Sequence, residues 1–230
     1  MFIESLRKKS IEHLFKTKTI NRCFPIWINE IRACCAKIPP TDQDLVNLSE
    51  KLRGIFRTTG KPGRDQDELS ASGTAWEALV CWYLNLCLLE TNCIILKNVK
   101  ALVPEPIRSA LTVTHGNTPT NTEADLIAIT FPEEINQYGV FSKKVVDKFC
   151  AEHFAEIEIT VIQCKTNWND NSQIPMLWDI IYNSAGKIKT AKVGISSYSI
   201  ENLKRFSYAF ITVPTQKKLE KYKNTSVHVL

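Results

Sequence analysis

Residues 75–89, AWEALVCWYLNLCLL, constrain the chain more than any other stretch, because Glu77 and Asn85 are the two clearly polar positions in it. A helix that is apolar nearly all round has no face for water and has to be surrounded. At 230 residues the chain is long enough to do this with one sizeable core. Hydrophobic residues make up 44% and charged residues 23%, which excludes the composition of a disordered chain. Asn85 and Glu90 break the run before it reaches the ~20 apolar residues of a membrane span. The N-terminus, MFIESLRKKS, has no apolar stretch of signal-peptide length.

The eight cysteines, at 23, 34, 35, 81, 87, 93, 150 and 164, form no C-x-x-C pair, so a zinc ribbon or a thioredoxin-like motif has no support. Cys81, Cys87 and Cys93 recur in apolar surroundings, where free cysteine behaves as a small hydrophobe. A reduced, cytoplasmic protein without a membrane segment is expected. His13, His115, His153 and His228 make no ligand spacing, GKPG lacks the end of a phosphate-binding loop, and there is no G-x-S-x-G elbow.

Three helices are expected in residues 1–60, from the spacing of Leu6, Ile11, Leu14 and Phe15, of Phe24, Trp27, Ile28 and Ile31, and of Leu45, Leu48, Leu52, Ile55 and Phe56. Pro25 and Pro39-Pro40 punctuate them, and Thr41 is the expected cap of the third. Residues 57–74, with three glycines, a proline and mixed charge, read as an exposed loop before the buried helix. Beyond it, strands are expected at 93–99, 126–131, 156–165, 187–195 and 206–213, helices at 142–154 and 174–185, and a polar, proline-containing loop before Asp125. Strands separated by helices predict an α/β or α+β domain with helices against a sheet.

The chemistry is concentrated in the strand EIEITVIQCKTNW. Alternation puts Ile157, Ile159, Val161, Gln163 and Lys165 on one face, so an amide and an amine continue an aliphatic row. Burial there is unfavourable without partners. In EADLIAI, Asp125 likewise shares a face with Ile127 and Ile129. If the two strands pair, Asp125, Gln163 and Lys165 meet at one end of the sheet. Oxygen ligands from Asp125, Gln163 and the Cys164 carbonyl suit a hard cation such as Mg2+, which activates water and neutralises a scissile phosphate. A lysine beside them stabilises developing negative charge. An aspartate before a strand and a lysine at its end are also ordinary turn and edge residues.

The order of a glutamate-bearing buried helix (SGTAWEALVCWYLN), a strand, an aspartate opening a strand (EADLIAI), and a strand ending in Q-C-K before a further helix resembles the PD-(D/E)-x-K nuclease superfamily, in particular its type II restriction endonucleases. The resemblance covers roughly residues 70–213. It implies a restriction-endonuclease-like α/β core with a central mixed sheet flanked by helices, preceded by the helical subregion 1–60, all within a single domain spanning 1–230. Asp125 corresponds to the metal-binding aspartate and Lys165 to the catalytic lysine. Gln163 stands where glutamate or aspartate is usual, as glutamine or asparagine does in some restriction enzymes of the superfamily. Ala124 stands where proline is usual. The 37 residues between Asp125 and Gln163 form a longer connection than is often seen, because the expected helix at 142–154 lies within it. Glu77 is either a further metal-site carboxylate, as helix glutamates of the family often are, or the return arm of a capping box with Thr74.

The resemblance further implies Mg2+ (with Mn2+ substituting) and hydrolysis of double-stranded DNA to 5′-phosphate and 3′-hydroxyl ends at a short palindromic sequence. It also implies a homodimer and a cognate DNA methyltransferase as functional counterpart. Three other readings stand beside this one: a repair or resolvase nuclease of the same superfamily, a non-catalytic DNA-binding protein on its scaffold, and a globular interaction protein with no nucleic-acid role, which predicts no salt-sensitive DNA binding.

Charge is unevenly spread. The chain carries a net +5, yet residues 187–223 alone hold nine basic and two acidic residues. Such a segment is either a phosphate-contacting surface or a solvated face. Candidate DNA contacts are Lys61 and Arg64, then Asn167, Asn169 and Asn171, then Lys192, Ser196, Ser197, Tyr198, Lys204 and Arg205. Their amide, hydroxyl and cationic groups suit base edges and phosphates, and each of these segments also reads as an ordinary polar loop.

Overall fold

The computed structural model describes residues 1–35, 37, 39–58, 66–115, 118–120, 124–166 and 191–213, with backbone alone at 66–72, 115, 118, 120, 191 and 192. Three helices open the chain: α1 (Phe2–Phe15), α2 (Lys18–Cys34) and α3 (Asp42–Arg57). Thr41 caps α3 as expected, in a full capping box with Asp44. Pro25 does not end α2 but lies inside it. Ile20, Cys23, Trp27 and Ile31 are buried along one stripe of that helix, and this packing offsets the roughly 3 kcal/mol that an interior proline costs.

The apolar stretch forms α4 (Gln66–Cys87). It begins well before residue 75, so 66–74 is helical rather than loop, while the remainder of that expected loop beyond Thr58 lies outside the described residues. Next come β1 (Cys93–Lys97), α5 (Glu105–Ala110), β2 (Val113–His115), β3 (Thr118–Thr120), β4 (Leu126–Thr130), α6 (Lys143–Glu152), β5 (Glu158–Lys165), β6 (Ala191–Val193) and β7 (Arg205–Thr212). The region before Asp125 is therefore more structured than a loop. The helix expected at 174–185 falls outside the described residues, as do residues 187–190 of the strand expected at 187–195, within which β6 covers Ala191–Val193.

β1, β4, β5 and β7 form a mixed four-stranded sheet in that order. β1 and β5 both pair antiparallel with β4, while β7 runs parallel to β5. The long connection containing α6 thus leaves β4 and β5 adjacent. A second sheet, β3-β2-β6, is antiparallel. Period-two alternation in the main sheet feeds two cores. Ile127, Ile129, Ile157, Ile159 and Val161 pack with α5, α6 and the first half of α1. Leu126, Ile162, Cys164 and Ile95 pack under α2, α3 and α4. The result is an α/β arrangement with helices on both faces of a mixed sheet.

β1 stands at the sheet's margin, and its outward backbone groups are taken up by side chains. Asn85 accepts from Ile95 N–H at 3.2 Å and donates to Ile95 O at 2.8 Å. Ser10 also donates to Ile95 O, at 3.2 Å, and Arg7 to Cys93 O at 3.0 Å. Arg7 is buried and further held by Asn85 and Glu4, which offsets the desolvation of its charge. No helix among the described residues is long and apolar enough to cross a membrane.

Candidate functional site

Three strands reach the same rim of the main sheet: β1 at Lys97, β4 at its first residue, and β5 at Lys165. Leu126 pairs with Ile162, so Asp125 and Gln163 are the next positions outward on neighbouring strands. A direct bond ties them together, since Cys164 N–H donates to Asp125 Oδ2 at 2.7 Å. On the other side, Asn98 N–H donates to the Asp125 carbonyl at 3.3 Å. The aspartate is fixed from both flanks.

Its environment disfavours charge. Burial pushes the Asp125 carboxyl above its ordinary range, the Cys164 N–H opposes this, Glu77 adds repulsion, and Lys165 and Lys97 pull the other way. Burial is therefore the largest influence. The Cys164 thiol lies in the same surroundings and is raised well above the usual value, by burial first and then by Asp125 and Glu77. A thiol held neutral in this way is a packing group and a poor nucleophile.

Gln163 is 5% exposed, and its Oε1 is buried with no hydrogen-bond partner among the described residues. Leaving such an acceptor unmet costs on the order of 1–3 kcal/mol, so the position suits a donor or a cation. Lys165 is half-buried beside it and opposite Thr212 on β7, whose hydroxyl is likewise buried with no partner among the described residues.

Glu77 approaches this rim from α4. The capping-box reading does not hold, because Thr74 lies well inside a helix that starts at Gln66. Instead Glu77 Oε2 pairs with Lys97 Nζ at 3.1 Å, with the two side chains 20% and 18% exposed. Lys97 was legible by the rule that singles out Gln163 and Lys165: CIILK is an aliphatic strand whose last residue is an amine.

Among the described residues, no three histidine, cysteine, aspartate or glutamate side chains group as metal ligands. Asp125 and the amide oxygen of Gln163 are hard oxygen donors of the kind that suit Mg2+, and the Gln163 Oε1, which has no hydrogen-bond partner among the described residues, is the observation that favours a cation there.

Among the described residues, the candidate DNA contacts do not gather at this rim. Glu158, at the start of β5, pairs with Arg205 in the parallel register, and Lys204 Nζ lies 2.8 Å from Glu158 Oε1. Lys204 and Arg205 are thus a strand's length from Lys165, about 23 Å at ~3.3 Å per residue. Ser196 and Ser197 are exposed in a tight turn closed by Ile195 and Tyr198. Gly194 enters it at φ +90°, where any Cβ would collide with the Tyr198 carbonyl. The Tyr198 ring rests edge-on against Phe154 at 5.1 Å, so it packs rather than projects. Lys61, Arg64, Asn167, Asn169, Asn171 and the side chain of Lys192 lie outside the described residues. So do Lys187, Lys189, Lys217, Lys218, Lys221 and Lys223 of the basic 187–223 segment.

Compared with known protein families, curated proteins and solved structures, the chain matches none.

Proposed function

We propose that the protein is a Mg2+-dependent endonuclease of the type II restriction class, cleaving double-stranded DNA at a short palindromic sequence as a homodimer. The observation that carries this reading is the 2.7 Å bond from Cys164 N–H to Asp125 Oδ2, which joins the aspartate opening β4 to the Q-C-K end of β5. Asp125 and Gln163, with the Cys164 carbonyl, would hold the metal. When bound, Mg2+ supplies a lowered pKa for a coordinated water and neutralises phosphate charge. Lys165 stabilises the charge that develops on the phosphate oxygens, and its half-buried setting strengthens that interaction. The aliphatic row behind Gln163 keeps bulk water from the rear of the site.

Gln163 also favours a second reading, a DNA-binding protein that does not cut, because an amide in place of a carboxylate removes one negative charge from the metal site. Incubation of plasmid DNA with the protein and Mg2+ separates the two. Discrete fragments that disappear in Asp125→Ala and Lys165→Ala support the restriction reading, and diffuse degradation points to a less specific nuclease of the superfamily. Salt-sensitive DNA binding with intact plasmid at every metal concentration supports the non-catalytic reading.

A further inference from the structure

Gln163 and Lys165 end the β5 row that begins with Ile159 and Val161, and β7 supplies a matching row. Phe206 and Tyr208 pack on the same core as Ile159 and Val161 and pair with them in the parallel register, so Phe210 and Thr212 continue the row opposite Gln163 and Lys165. Registered side chains on these two strands come within bonding distance: on the other face, Thr160 Oγ1 lies 2.7 Å from Oγ of its register partner Ser207. Just beyond Thr212, Val213 N–H donates to the Lys165 carbonyl at 3.1 Å and fixes the pairing at the rim.

Thr212 Oγ1 is buried with no hydrogen-bond partner among the described residues, although the residue as a whole is only half-buried. An unmet buried hydroxyl is unfavourable, and valine would fill the same space without it. Its place beside Lys165 suggests the missing partner. An ammonium has donors alone, so what it holds is an anion with acceptor oxygens, and a hydroxyl is a second donor to those oxygens. We propose that Thr212 is a further substrate-binding residue of this site, donating its hydroxyl to the phosphate oxygens whose charge Lys165 neutralises. This rests on the nuclease reading above and extends the site to β7. A fixed donor shielded from bulk water counts most where charge develops in the reaction.

Thr212→Val keeps the shape and removes the hydroxyl, Thr212→Ser keeps the hydroxyl, and Ser207→Ala removes a β7 hydroxyl on the opposite face. Each is measured for initial rate of plasmid cleavage with Mg2+ and for affinity to a fluorescent DNA duplex without metal. Thr212→Val is expected to slow cleavage tenfold or more and weaken duplex binding at least threefold, with a thermal midpoint no lower than that of the wild type. Thr212→Ser and Ser207→Ala are expected to stay within twofold in both measurements. Unchanged cleavage and binding in Thr212→Val overturn the proposal. So does a Thr212→Ser as impaired as Thr212→Val, which assigns the effect to packing of the methyl group. If Thr212→Val does not fold, Thr212→Ala takes its place. A wild type that binds the duplex without cutting it sinks the nuclease reading alone, because the binding loss in Thr212→Val still reads the phosphate contact. A wild type that does neither overturns both.

Discussion

β5 has a carboxylate at each end, and the two behave in opposite ways. At its start, Glu158 accepts from the exposed Lys204, and this hydrogen bond holds the Glu158 carboxyl below its ordinary range. At its far end, Asp125 accepts an equally short bond from Cys164 N–H, yet burial pushes its carboxyl upward. A close donor is common to both, so the difference is access to water. One end of the strand neutralises itself in solvent, and the other keeps groups the fold would be more stable without. Tension of the second kind is found where stability and activity conflict.

Removing the lysine at each end of β5 should produce the largest difference. On the proposed chemistry, Lys165→Ala slows plasmid cleavage by roughly 10²-fold or more, while Lys204→Ala changes it by less than about threefold, since a solvated ion pair contributes little. Equal losses, measured as initial rates, would erase the distinction between the two ends. A subtler effect is expected from one conservative change made twice. Asp125→Asn keeps an acceptor for Cys164 N–H but removes the disfavoured charge, and should raise unfolding stability at neutral pH by roughly 0.5–2 kcal/mol. Glu158→Gln should lower it by roughly 0.2–1 kcal/mol. Denaturant melts that give both the same sign would refute the contrast.

The smallest effect is in pH. Asp125 titrates higher in the folded chain than unfolded, so its contribution is fully present below the unfolded pKa and is lost as pH rises through the folded one. Glu158 titrates lower when folded, so its contribution is present above the unfolded pKa and is lost as pH falls through the folded one. On acidification both effects should fade, the gain from Asp125→Asn as pH falls from the folded towards the unfolded Asp125 pKa, and the loss from Glu158→Gln as pH falls from the unfolded towards the folded Glu158 pKa. Melts across the acidic range read both.

The strands of the main sheet were legible in the sequence because each carries a period-two apolar row: Ile127 and Ile129, Ile157 to Val161, and Phe206 with Tyr208. Thr41 was legible because a cap is a local device. What escaped is set by partners distant in sequence. Pro25 survives in α2 through packing of Trp27, and the start of α4 lies in a polar stretch with no apolar periodicity to announce it. Short β2 and β3 sit among prolines, and their pairing carries no sequence mark of its own. At the site, Asp125, Gln163 and Lys165 were legible as polar interruptions of aliphatic rows. Glu77 was visible but was also assigned to a capping box, since the presence of Lys97 opposite it depends on how α4 crosses β1. The separation of Lys204 and Arg205 from the site follows from the parallel register of β7, which composition cannot reveal.

The seal that Arg7, Ser10 and Asn85 place on β1 makes the sheet directional. Its outward groups at Cys93 and Ile95 are already matched, so this margin offers no template to another strand. Among the described strands, growth of the sheet by a second copy is therefore confined to the side of β7. A homodimer built by joining sheets would have to place its two-fold axis there, leaving α1 on the outside of the pair.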